Sequence, residues 1–161
     1  RNMGRQFCSD KKGRVAYCVP GAKVEHITSM ISSVIKAEDD GDAAAVITHV
    51  GVNNVCAGRS EELVAQYKDM IVKLKEKRCK GIVTGIVPHL SASQEWFSRA
   101  LCVNARVKSM CEEQGVMFLD LWDEFMGKAN LYRQDGIHFS WQGLQLLSNA
   151  YEEALNAISG N

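Results

Sequence analysis

The sequence has few of the features that mark membrane, secreted or nucleic-acid-binding proteins. No apolar run approaches the ~20 residues of a membrane-spanning helix, and no signal peptide opens the chain. Lys and Arg together number 19 and balance 19 Asp and Glu, so the formal net charge is zero. This balance argues against nucleic-acid binding by the domain as a whole, which would need a strong basic excess.

The cysteines lack the spacing of a metal site or a disulfide framework. No two form a Cys-x-x-Cys motif, and several lie within apolar patterns, where a free cysteine acts as a small hydrophobe. We therefore interpret them as reduced thiols and expect a cytoplasmic protein. The six are Cys8, Cys18, Cys56, Cys79, Cys102 and Cys111.

The chain also lacks internal repeats, low-complexity linkers and heptad runs. Its 161 residues are about one domain's worth, so we predict a single domain over residues 1–161. A glycine-rich phosphate loop is missing too, which argues against a flavodoxin-like nucleotide-binding protein.

Short apolar runs alternate with segments of helical periodicity along the chain. Helices are predicted over about 23–37, after an N-cap at Ser60, over about 93–113, and from an N-cap near Ser140. Residues 121–134 are predicted to be irregular or short-helical. This alternation is typical of a parallel α/β sheet with helices on both faces. The predicted strands cover 15–19, 44–50, 81–87 and 116–120.

Polar residues follow the predicted strands, where open α/β sheets bind their ligands. Gly21 follows the first strand and Asn53 the second. The Gly21 N–H and the Asn53 amide can point into one spot, as an oxyanion hole requires. Each also has a simpler interpretation, Gly21 as a turn and Asn53 as a loop residue that tolerates positive φ.

Asp135-Gly136-Ile137-His138 lies close to the C-terminus. An acid three residues before a histidine can hold the imidazole in one tautomer and stabilise the imidazolium, as in a Ser-His-Asp triad. Asp-Gly is also a strong turn pair, and both interpretations can hold together. His26, His49 and His89 are interpreted as structural or merely exposed.

These motifs resemble the SGNH, or GDSL-like, hydrolases, whose four blocks supply Ser, Gly, Asn and His. Gly21 matches the second block, Val50–Asn54 the third, and Asp135–His138 the fourth. The chain is more specifically similar to the esterase domain in the first open-reading-frame protein of vertebrate LINE-type retrotransposons. Segments that carry this closer likeness are Phe7-Cys8, Cys18–Ala22, His49–Asn54, Leu119–Phe125 and Leu131–His138.

The resemblance implies a three-layer α/β/α sandwich with a parallel sheet, a flavodoxin-like SGNH hydrolase fold. It implies His138 and Asp135 as catalytic residues, Gly21 and Asn53 in the oxyanion hole, and no metal or organic cofactor. The family's Gly-Asp-Ser block is expected on a first strand just upstream of Arg1. Asn54 stands where the wider family often has a structural Asp, and we expect this difference to have only a mild effect on the site.

No internal serine is predicted to replace that nucleophile. Ser9 lies in a polar stretch after no strand, while Ser60 and Ser140 are expected to cap helices. The aromatic side chains near the C-terminus are expected in core or lid packing, with an acyl-pocket wall as the alternative. They are Trp122, Phe125, Tyr132 and Trp141.

The sequence leaves two functions open. The first is a serine esterase acting on lipid-like or acetyl esters, within a retrotransposon ribonucleoprotein protein. The second is an inactive module of the same fold that serves ribonucleoprotein assembly, membrane contact or self-association. In both, nucleic acid is expected to bind other segments of the full protein, and a homo-oligomer remains open.

Overall fold

A computed structural model describes residues 13–35 and 43–160 of the chain. Three parallel strands form a sheet in the order β1-β2-β3: β1 (Ala45–His49), β2 (Lys80–Thr84) and β3 (Met117–Leu119). The helices are α1 (Val24–Val34), α2 (Ser60–Glu76), α3 (Gln94–Gln114), α4 (Trp122–Phe125) and α5 (Trp141–Ile158). This confirms the predicted α/β architecture.

Apolar side chains on the two faces of the sheet belong to two separate cores. Val83 and Phe118 pack with the apolar faces of α1, α2 and α3. Ile47 and Leu119 pack instead with Leu147 of α5 and its neighbours. Because successive strand residues point to opposite faces, neighbouring positions such as Phe118 and Leu119 serve different cores.

Local capping chemistry explains where the later helices begin and end. The Ser93 hydroxyl accepts from the Trp96 N–H at 3.1 Å, and the Ser140 hydroxyl accepts from the Gly143 N–H at 3.2 Å. Gly115 ends α3 in the left-handed conformation. The N-cap prediction was right for Ser140 and wrong for Ser60, which is the first helical residue after Arg59.

The predicted strand at 15–19 is the main error in secondary structure. These residues form no strand, and Val15 is 73% exposed, Tyr17 57% and Val19 42%. A strand forms only where a neighbour completes its ladder of hydrogen bonds, and no described strand pairs with this segment. Arg14 instead ties the segment to α5 through a bidentate pair with Glu152, at 2.5 and 2.9 Å.

The aromatic predictions divide in a similar way. Trp122, Phe125 and Tyr132 are buried in the core as expected, whereas Trp141 is 68% exposed.

Among the described helices, none combines the length and the apolarity that a bilayer crossing demands.

Candidate active site

The predicted site residues occupy loops at one edge of the sheet. Val52–Asn54 forms a 3₁₀ turn just after β1, and residues 85–92 follow β2. Because β1 and β2 are adjacent and parallel, both loops emerge at the carboxyl ends of the strands, where such sheets bind ligands.

Asp135 and His138 form a short hydrogen bond within a tight turn. The Asp135 Oδ2 lies 2.6 Å from the His138 Nδ1. Its Oδ1 accepts the backbone N–H groups of Ile137 and His138, each at 2.9 Å. The pKa of Asp135 is lowered to about 2, mainly by the hydrogen bond to the His138 side chain. The backbone N–H groups of Ile137 and His138, and the charge of the His138 ring, add to the lowering. An ionised Asp135 therefore holds the proton on Nδ1 and leaves Nε2 as the basic nitrogen.

This turn is attached to the loop after β2. The Leu90 N–H donates to the Gly136 carbonyl at 2.7 Å, and the Tyr132 hydroxyl donates to the Pro88 carbonyl. Within the turn, the Arg133 N–H donates to the His138 carbonyl at 2.7 Å. Burial raises the pKa of Tyr132 to about 12, so its hydroxyl remains a donor at neutral pH. The fold thus fixes the Asp-His turn to a strand end.

Asn53 is hydrogen-bonded to the turn that contains Gly21. Gly21 has a φ of +70° in a turn closed by the Ala22 N–H, which donates to the Val19 carbonyl at 3.2 Å. The Asn53 Nδ2 donates to the Ala22 carbonyl at 3.1 Å. An amide nitrogen carries two hydrogens, so a second donor remains on Asn53. Both predicted oxyanion donors therefore lie on one assembled turn.

Gly51 sets the path of the chain into Asn53. Its φ of +119° is in the left-handed region, and a Cβ there would overlap the Tyr67 hydroxyl. That hydroxyl donates to the Val50 carbonyl at 2.7 Å. Only glycine lets β1 turn this sharply beneath the 3₁₀ turn.

The structure joins Asp135 to His138 and, separately, joins Asn53 to Ala22, the residue after Gly21. The other histidines are engaged elsewhere: His26 accepts the Lys23 N–H at 3.2 Å and His49 contacts the Tyr151 hydroxyl at 2.6 Å. His89 lies 3.3 Å from the Ser91 hydroxyl and against Trp96, and partial burial lowers its pKa. Ser9 lies outside the described residues.

Sequence reasoning missed the residues that support the site. Tyr67 and Tyr132 follow ordinary helical or apolar patterns, and only their hydroxyl contacts reveal their roles. Only a mild effect was expected from Asn54 in place of the family's Asp; the residue is buried, and its side chain makes three hydrogen bonds. The signal for Asn54 was its place in the motif, where the wider family often has a structural Asp.

The site and the fold have known counterparts. The sequence model of the GDSL-like lipase/acylhydrolase family matches residues 4–146. The chain belongs to this family. Membership of this family supports hydrolase activity on esters in general.

Solved structures extend this finding. The esterase domain of the ZfL2-1 ORF1 protein, from a zebrafish retrotransposon, is 30% identical, with a TM-score of 0.56 and 94% of each chain covered. A GDSL-like lipase from Bacteroides thetaiotaomicron is 16% identical with a TM-score of 0.78, covering 97% of this chain and 81% of that one. The OSK domain of Drosophila Oskar is 12% identical with a TM-score of 0.71, covering 90% and 77%. The last two show a shared fold alone. No curated protein sequence matches the chain.

Proposed function

We propose that this family member is a serine esterase that hydrolyses lipid-like or acetyl esters through a Ser-His-Asp triad. The observation that carries the proposal is the 2.6 Å contact between Asp135 Oδ2 and His138 Nδ1. Two backbone N–H groups fix the other carboxylate oxygen, so the acid cannot rotate away without losing both. The pair has the polarity that a general base needs.

In the proposed reaction, a serine just upstream of Arg1 attacks the ester carbonyl. His138 Nε2 accepts the serine proton and passes it to the leaving alcohol, which leaves an acyl-serine. Water then attacks the acyl-serine, with His138 again taking the proton. The Gly21 N–H and the Asn53 amide stabilise each oxyanion, at about 3 kcal/mol per donor.

The 30% identity to the zebrafish domain supports a place in the first open-reading-frame protein of a LINE-type retrotransposon. On this proposal the domain acts in the cytoplasm on acyl-ester or lipid substrates, with contact at a membrane surface. Other segments of the full protein bind nucleic acid on this proposal.

The experiment is hydrolysis of p-nitrophenyl acetate by the protein with its natural residues before Arg1. His138→Ala should lower kcat by several orders of magnitude, because the nucleophile loses its base. The His138 side chain is 72% exposed, so the variant should unfold at nearly the same temperature and the loss reports chemistry. An unchanged kcat would rule out the assignment.

The second candidate is an inactive module for ribonucleoprotein assembly, membrane contact or self-association. It predicts equal background hydrolysis by the natural protein and by His138→Ala. The natural sequence before Arg1 also distinguishes the two, because the proposed esterase carries its nucleophilic serine there.

A further inference from the structure

Asn54 is buried, at 6% exposure, and its side chain makes three hydrogen bonds. Its Oδ1 accepts the Val24 N–H at 3.0 Å. Its Nδ2 donates to the Glu25 Oε2 at 3.2 Å and to the Gln66 Oε1 at 3.0 Å. A backbone N–H can only donate, so Oδ1 must face Val24 and the amide nitrogen must face the two acceptors.

These contacts join three elements around the turn that contains Gly21. Val24 is the first residue of α1, so Asn54 accepts one of the N–H groups that a helix start leaves without an intrahelical partner. The neighbouring Asn53 holds the Ala22 carbonyl, just before this helix start. Two consecutive asparagines therefore hold both sides of the turn that follows Gly21, and Gln66 fixes them to α2.

We propose that Asn54 is a positioning residue that holds Gly21 and Asn53 as one unit, and that the adjacent Glu25 carboxylate requires an amide at position 54. The effect on catalysis rests on the proposed esterase function, whereas the effect on folding does not.

The requirement for an amide comes from Glu25 alone. A carboxylate at position 54 could still accept from Val24, and the Gln66 amide could turn to donate to it. Glu25 carries no hydrogen to donate when ionised, so two carboxylates would meet about 3 Å apart, which is strongly unfavourable. The pKa of Glu25 is lowered, first by a hydrogen bond from the Glu25 backbone N–H and then by one from the Asn54 amide, although burial acts in the opposite direction. The nearby His26 and Lys23 lower it further.

A swap of the two groups tests this pairing by urea unfolding at neutral pH. Asn54→Asp should lower the folding equilibrium constant about tenfold or more. Glu25→Gln alone should change it less than about threefold, because the new amide oxygen still accepts from Asn54. The double variant Asn54→Asp with Glu25→Gln should recover most of the loss, because the amide and the carboxylate have exchanged places.

Asn156→Asp is the matched control, because Asn156 is exposed on α5 and should tolerate the acid. If Asn54→Asp does not fold, recovery of folded protein in the double variant is the same test. A tolerated Asn54→Asp, or a double variant as unstable as the single one, would overturn the inference.

Hydrolysis separates this inference from the proposed function. With a triad enzyme, Asn54→Asp should lower kcat with little change in KM, and the added Glu25→Gln should restore it. If the double variant recovers stability but no variant hydrolyses the ester, the positioning role of Asn54 is supported and the esterase is refuted. If the natural protein hydrolyses the ester but the double variant stays as unstable as Asn54→Asp, the esterase is supported and the role of Asn54 is refuted.

Discussion

The two halves of the site differ in how far apart their residues lie in the sequence. The Asp135–His138 turn makes its defining contacts over three residues. The turn that contains Gly21 is held by contacts that span 31 residues, Asn53 to Ala22, and 30 residues, Asn54 to Val24. A local turn needs little beyond its own sequence, whereas a turn assembled from distant segments persists only while the fold holds them together.

Both halves nevertheless depend on a tyrosine for their place in the molecule. The Tyr67 hydroxyl donates to the Val50 carbonyl just before the 3₁₀ turn that carries Asn53, and the Tyr132 hydroxyl donates to the Pro88 carbonyl beside the Asp-His turn. In each case a buried aromatic residue satisfies a carbonyl just beyond a strand. The Asp135–His138 turn therefore forms its shape from its own residues, but its position in the molecule depends on the rest of the fold.

The largest expected effect separates the chemistry of the local half from its shape. In Asp135→Asn, the amide oxygen can still accept the N–H groups of Ile137 and His138, so the turn should persist. The amide nitrogen would donate to Nδ1 and move the ring proton to Nε2, which removes the base. Under the esterase proposal, kcat should fall on the order of 10⁴-fold with the melting temperature nearly unchanged. A kcat within tenfold of the natural protein would contradict this.

Substitutions near the contacts that hold the Gly21 turn and Asn53 should instead lower the stability of the protein. Gly51→Ala would force a side chain into the Tyr67 hydroxyl at a φ of +119°, and should lower the free energy of unfolding by about 3 kcal/mol. Gly127→Ala is the matched control, because Gly127 also has positive φ but no atom lies within 4 Å of its added Cβ. That control should cost about 1 kcal/mol. Equal losses in urea unfolding would show that the contact with Tyr67 does not matter.

The smallest effect is the titration of Asp135, followed by carboxyl NMR. Its pKa of about 2 lies below the ordinary 3.8, so the favourable pairing is complete above pH 3.8 and is lost as the pH falls through about 2. In His138→Ala the pKa should rise, because the largest cause of the lowering is gone. It should stay below the ordinary value, since two backbone N–H groups still bind the carboxylate. A midpoint near 4 in the natural protein would contradict the observed pairing.

Elements with a strong local pattern could be predicted from the sequence. Helical periodicity located α1, α2, α3 and α5, and three of the four predicted strands form the sheet. The segment at 15–19 has the same apolar pattern but stays outside the sheet, because a strand also needs a partner for its ladder. Trp141 was expected in core or lid packing, and its 68% exposure excludes the core alone, since an aromatic residue at a helix start does not reveal which side faces the core.

The sequence by itself determined the α/β architecture, the family and the Asp135–His138 pair, because periodicity and a three-residue spacing are local properties. Only the tertiary structure decided that Asn53 holds the turn of Gly21, that Tyr67 excludes any side chain at position 51, and that Asn54 faces Glu25 and Gln66. These contacts join residues far apart in the chain. Whether such side chains meet depends on how the helices pack against the sheet, which no local pattern encodes.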